Sequence, residues 1–98
     1  MILKRWPFSR VVIEHAPDDP GVIILWDASE VIYVGRTREE TIKAALLRHL
    51  DGVFGDCTKR ATHYSWEITI WPAAREAELL KEFASTSTGH PRCQQKLA

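Results

Sequence analysis

The run GVIILW, residues 21 to 26, constrains this chain more than any other stretch. A β-strand turns successive side chains to opposite faces, so an unbroken apolar run needs cover on both of them. The fold must therefore place this segment at its centre, with packed layers above and below. After the polar connection DASE comes VIYVG, Val31 to Gly35, whose β-branched and aromatic residues predict a second strand. A four-residue connection suits an antiparallel hairpin. A third strand is expected in THYSWEITI, residues 62 to 70, where Tyr64, Trp66, Ile68 and Ile70 alternate with His63, Ser65, Glu67 and Thr69.

Two helices complete the pattern. In RTREETIKAALLRHL, Thr37 followed three residues later by Glu40 has the form of a capping box and sets the expected helix start. At helical spacing Ile42, Ala45, Leu46 and Leu50 share one face, and His49 falls among them. An inward histidine is either a satisfied core residue or part of a site. In PAAREAELLKEF, Pro72 suits the first helical turn, because its missing N–H costs nothing there. Ala73, Ala77, Leu79, Leu80 and Phe83 form an apolar stripe, Glu76 lies inside it, and Arg75, Glu78, Lys81 and Glu82 face water. A buried carboxylate is costly unless it is paired, hydrogen-bonded or bound to a metal. The alternative for Glu76 is a half-exposed place near the helix start, where the helix dipole favours negative charge.

The order is hairpin, helix, strand, helix. The expected fold class is α/β in the α+β sense: a small three-stranded antiparallel sheet flanked by helices, in one domain over residues 1–98. HAPDDPG reads as an extended lead-in and turn, and DGVFGDCTKRA and the tail ASTSTGHPRCQQKLA read as loops.

Hydrophobic content of 45% with four tryptophans is a globular composition. Thirteen basic and thirteen acidic residues cancel, which argues against a dedicated nucleic-acid binder with a basic excess. A local patch survives that balance: Arg36, Arg38, Lys43 and Arg48, extended by Lys59 and Arg60. The competing reading is a solvated surface neutralised by Glu39, Glu40, Asp51 and Asp56. No apolar run suits a signal peptide or a membrane span, so a cytoplasmic location and no membrane partner are the expectation. Cys57 and Cys93 are then expected as reduced thiols, with a tetrahedral zinc site of Cys57, His63, His90 and Cys93 as the alternative.

Several of these segments occur together in a familiar order. PGVIILWDASEVIYVGRT, LLRHL, ATHYSWEIT, REAELLKEF and HPR, over residues 17 to 94, resemble a GIY-YIG domain, the small nuclease fold of repair, homing and restriction endonucleases. The resemblance implies a divalent-metal-dependent endonuclease or DNA-processing domain that hydrolyses phosphodiester bonds with one Mg²⁺ or Mn²⁺. It gives Glu76 the metal and Tyr33 the attacking water, which Tyr33 orients or deprotonates. As a base, Tyr33 needs a pKa lowered from about 10 to about 7, and hence a nearby cation. His49 supports the nucleophile or the phosphate, and Arg36, Lys43 and Arg48 are the candidate phosphate contacts. The partner implied is nucleic acid, DNA in particular, and because members of this family take specificity from attached domains, either low specificity or a separate protein partner is expected.

The chain also departs from the family pattern. Ile23 stands where the first motif carries a tyrosine, and Ala45 stands where the family carries an arginine; an ungapped alignment puts Lys43 there instead. HPRCQ lacks the aromatic and the asparagine that often close the domain. Loss of one charge clamp on a transferring phosphoryl group costs several kcal/mol of barrier, roughly. A catalytically impaired module of the same fold, holding nucleic acid or protein in the same cleft, is therefore the second expectation.

Overall fold

The computed structural model describes residues 4–86 and 91–94. In chain order the elements are β1 (Trp6–Pro7), α1 (Arg10–Ile13), β2 (Gly21–Asp27), β3 (Glu30–Arg36), α2 (Ile42–Leu50), α3 (Asp56–Lys59), β4 (His63–Ile68) and α4 (Pro72–Thr86). The sheet is antiparallel throughout, in the order β1-β4-β2-β3. It thus has four strands among the described residues, where three were expected. The extra strand, Trp6–Pro7, lies ahead of HAPDDPG where no strand was expected, and it sits at an edge. Pro7, which has no N–H to donate, is tolerated there.

The central strand is the expected one. Gly21 through Leu25 are all buried. Ile23 and Leu25 face α1 and α2 in one core cluster, with Ile13, Ile42, Leu46 and Tyr64, while Val22 and Ile24 face Leu79 of α4 in the other. The hairpin is tighter than DASE suggested. Asp27 pairs with Glu30, so Ala28 and Ser29 alone make the turn, and Ala28 takes a left-handed φ of 56°. A register shift at Leu25/Trp26 accommodates the odd residue count on the two sides.

The start of the first long helix, the buried face of α4 and the exposure along β4 differ from expectation. The first long helix starts at Ile42, with Thr41 as its cap accepting from the Ala44 amide at 3.1 Å. Thr37 is instead tied to the start of β2: its hydroxyl accepts from the Gly21 amide at 3.1 Å, and its own amide donates to Gly21 O at 2.9 Å. Glu39, at φ 62°, then lies outside helical geometry altogether. On α4, Leu79 is fully buried and Leu80 and Phe83 half-buried, but Ala73 and Ala77 are exposed and Arg75, expected on the water side, is half-buried. Arg75 grips Glu67 of β4 with two nitrogens, at 2.6 and 3.1 Å, and this turns the helix away from its alanines. Along β4, Tyr64 is buried and Trp66 half-buried, whereas Ile68 and Ile70 are 49% and 75% exposed.

Cys57 and Cys93, expected as separate thiols, are joined in a disulfide with Cα atoms 5.7 Å apart. The bond leaves neither sulfur as a thiolate ligand, which removes the zinc site. His63 engages the Thr62 hydroxyl through Nδ1 at 2.8 Å, and His90 lies outside the described residues. No helix among the described residues is long and apolar enough to cross a membrane.

Candidate functional site

A hollow of about 490 Å³ opens between the end of β3, the connection from β3 to α2, the inner face of α2 and Phe54. Its geometry begins with the spacing in YVG. Residues two apart on a strand share a face, so Tyr33 and Gly35 stand side by side. A Cβ at position 35 would lie 2.5 Å from Tyr33 Cε2 and 2.6 Å from the hydroxyl, so glycine is what lets the ring lie along the strand. The Tyr33 ring is buried and packs against His49 with ring centroids 4.9 Å apart.

His49 lies between two rings tilted against it, with Phe54 4.5 Å away on its other side. Its Nδ1 lies 2.8 Å from the hydroxyl of Thr58, which is 1% exposed. With that hydroxyl donating to Nδ1, the ring carries its own proton on Nε2, the side away from Thr58. Burial, reinforced by the Arg48 charge, lowers the His49 pKa to about 4. At neutral pH the imidazole is therefore uncharged and offers an N–H donor.

Three guanidinium groups line the hollow: Arg36, Arg38 and Arg48. Arg48 is partly committed, paired with Glu40 at 2.6 Å and lying over the Phe54 ring at 4.9 Å. Arg36 and Arg38 have no carboxylate partner among the described residues. Both face the hollow because Thr37 between them is turned to Gly21, leaving its neighbours on the opposite side of an extended segment. Ile23 and Ala45 are also in the wall, the isoleucine keeping bulk without a hydroxyl and the alanine leaving room.

Burial, with the Glu76 charge as the next contributor, pushes the Tyr33 pKa up to about 12, against a lowering by Arg38. Tyr33 therefore stays protonated at neutral pH, which suits orienting a water better than deprotonating one. Glu76 is half-buried on α4, which packs on the other face of the sheet, and it lies outside the lining of the hollow; no described side chain forms an ion pair with it.

The structure thus brings together Tyr33, His49, Arg36 and Arg48 of the expected set, and leaves both Glu76 and Lys43 outside the lining. Lys43 pairs with Asp18 at 3.3 Å and does not line the hollow. Arg38, expected only as part of a basic patch, and Phe54 and Thr58, inside a segment read as loop, belong to the site. The spacing of Arg36 and Arg38 was a usable signal for the first; nothing local marks the other two. Among the described residues no three His, Cys, Asp or Glu side chains group to hold a metal. Glu76 alone would offer a divalent ion a protein carboxylate, a donor set that would suit only a largely hydrated Mg²⁺ or Mn²⁺ completed by substrate oxygens. Compared with protein-family models, curated proteins and solved structures, the chain matches none of them.

Proposed function

We propose that the hollow receives a nucleic-acid phosphodiester and that the chain is a GIY-YIG-like, metal-dependent endonuclease or DNA-processing domain. The observation that carries this reading is the convergence of Arg36 and Arg38, without carboxylate partners among the described residues, on Tyr33 and an uncharged His49. Paired guanidinium groups match the geometry and charge of a phosphate. The His49 Nε2–H adds a neutral donor to a phosphate oxygen, and the Tyr33 hydroxyl positions a water against phosphorus. Glu76 would hold the divalent ion, which when bound supplies positive charge to the phosphate oxygens. Arg38 lines the same hollow as Ala45, and in this reading stands in for the arginine that the family carries at the Ala45 position.

A second reading is favoured by a specific observation. Tyr33 at a pKa of about 12 is a poor base, and a site that holds a phosphate without activating water is a binding module. Incubation with supercoiled plasmid and Mg²⁺ or Mn²⁺ separates the two. Nicking is expected from the wild-type chain, abolished in Glu76→Ala and reduced roughly 100-fold in Arg38→Ala. Equal inertness of wild type and Glu76→Ala, with DNA still retarded on a gel, selects the binding module. Absence of both nicking and retardation removes the phosphodiester reading.

A further inference from the structure

The disulfide lies where two supports of the hollow meet. Cys57 immediately precedes Thr58, which holds the His49 ring, and follows Phe54 by three residues, which stacks on that ring. Cys57 and Thr58 belong to α3, a single turn whose cap position, Gly55, makes no side-chain cap hydrogen bond. One turn of helix has little stability of its own. Cys93 belongs to the 91–94 segment, which runs along the outer edge of β3. Its amide donates to Ile32 O at 2.9 Å. The Gln94 side chain fills both backbone groups of Val34, Oε1 accepting from the amide at 2.8 Å and Nε2 donating to the carbonyl at 2.6 Å. Tyr33 sits between these two anchored residues. A single covalent bond therefore joins the element that holds His49 to the strand edge that carries Tyr33.

The bond is also reachable. A crevice of about 250 Å³ opens over it, lined by Phe54, Gly55, Asp56, Cys57, Thr58 and Cys93. Cys93 is 1% exposed and Cys57 half-buried, so Cys57 is the more accessible partner and the side a reductant would attack.

We propose that Cys57–Cys93 is a redox-modifiable bond, opened by small dithiols or a dithiol protein reductant, that sets the shape of the arginine-lined hollow. A reductant thiolate attacks Cys57 Sγ, and the S–S electron pair leaves on Cys93 Sγ, which takes up a proton. The reductant's second thiolate then attacks its own sulfur in the mixed disulfide and releases Cys57 as a thiolate, which is protonated in turn. Two electrons and two protons pass to the protein, and the reductant becomes a disulfide. In a reducing compartment such a bond is transient and regulatory, and in an oxidising one it persists. Once it is open, the 91–94 segment keeps only its hydrogen bonds and α3 only its packing on α2.

The test uses the full chain, air-oxidised and dithiothreitol-reduced, followed by thiol alkylation, amide hydrogen exchange and the ring resonances of His49 at fixed pH. The oxidised chain should resist alkylation and the reduced chain should take up two labels. Exchange at Val34 should accelerate at least tenfold more on reduction than exchange at Ile24 and Ser65 in the sheet centre, and the His49 ring resonances should shift. The double variant Cys57→Ser, Cys93→Ser should reproduce the reduced state without any reductant. Two free thiols in the air-oxidised chain would overturn the proposal, as would unchanged Val34 exchange and His49 resonances. Equal loss of protection at Val34, Ile24 and Ser65 would also overturn it, since the bond would then be a general staple. These measurements need no substrate and are independent of the phosphodiester reading.

Discussion

Tyr33, Gly35 and His49 show how much of the site is decided by single side chains. A methyl group at position 35 would drive the Tyr33 ring off the strand. Gly35→Ala should therefore cost about 1–3 kcal/mol, as overpacking in a filled site does, and should also break the contact between Tyr33 and His49. A lowered urea midpoint together with shifted His49 resonances would establish this; an unchanged midpoint would show that the ring has room to yield. His49 carries a pH dependence whose sign is fixed by its burial. Its pKa is about 4 in the fold and about 6.5 in the unfolded chain, so between these values the unfolded chain binds more protons. Stability should be fully present above pH 6.5 and fall as the pH drops toward 4, by on the order of 3 kcal/mol from this residue. Denaturant titrations of wild type and His49→Phe across that window check it, the variant losing the slope. The inward placement of His49 was readable from helical spacing alone. The Thr58 hydroxyl that orients it was not, because it lies nine residues on, in a segment with no period of its own.

At the scale of elements, the two threonines before α2 separate local propensity from tertiary demand. Both suit a helix cap, and Thr37 has the better sequence context. Thr41 nevertheless caps the helix, while Thr37 closes the junction between β2 and the connection that carries Arg36 and Arg38. Thr41→Ala should cost about 1 kcal/mol, as a lost N-cap does. Thr37→Val should cost about 1–3 kcal/mol, because it strips a buried Gly21 amide of its acceptor. Thr37→Val should also weaken phosphate binding by displacing the two arginines, which Thr41→Ala should leave alone. Urea midpoints and a phosphate titration of the two variants test this pair. The face of α4 turned by a similar contest. Alanines bury little apolar area, so they hold a face inward only weakly against Leu79, Leu80 and Phe83. The Arg75–Glu67 pair then selected among orientations that periodicity alone treats as near equals.

For the whole molecule, the disulfide closes a loop between residues 36 apart in sequence. Loop entropy for that span corresponds to about 4 kcal/mol. Reduction should lower the urea-unfolding free energy by up to about that amount, and an identical midpoint with and without dithiothreitol would refute it. The sequence by itself determined the central strand, the hairpin beside it, the alternating strand that follows and the two long helices. Each of these is set by interactions between near neighbours, which leave a period in the chain: six apolar residues in a row, Tyr64 alternating with Ser65, His49 among leucines. The tertiary structure alone decided the edge strand of Trp6 and Pro7, the joining of Cys57 to Cys93, the docking of Gln94 on Val34, and the gathering of Arg38, Phe54 and Thr58 around His49. Those contacts join residues from separate elements, and a pairing across sequence distance leaves no periodic mark on either partner until the sheet and helices bring the two together.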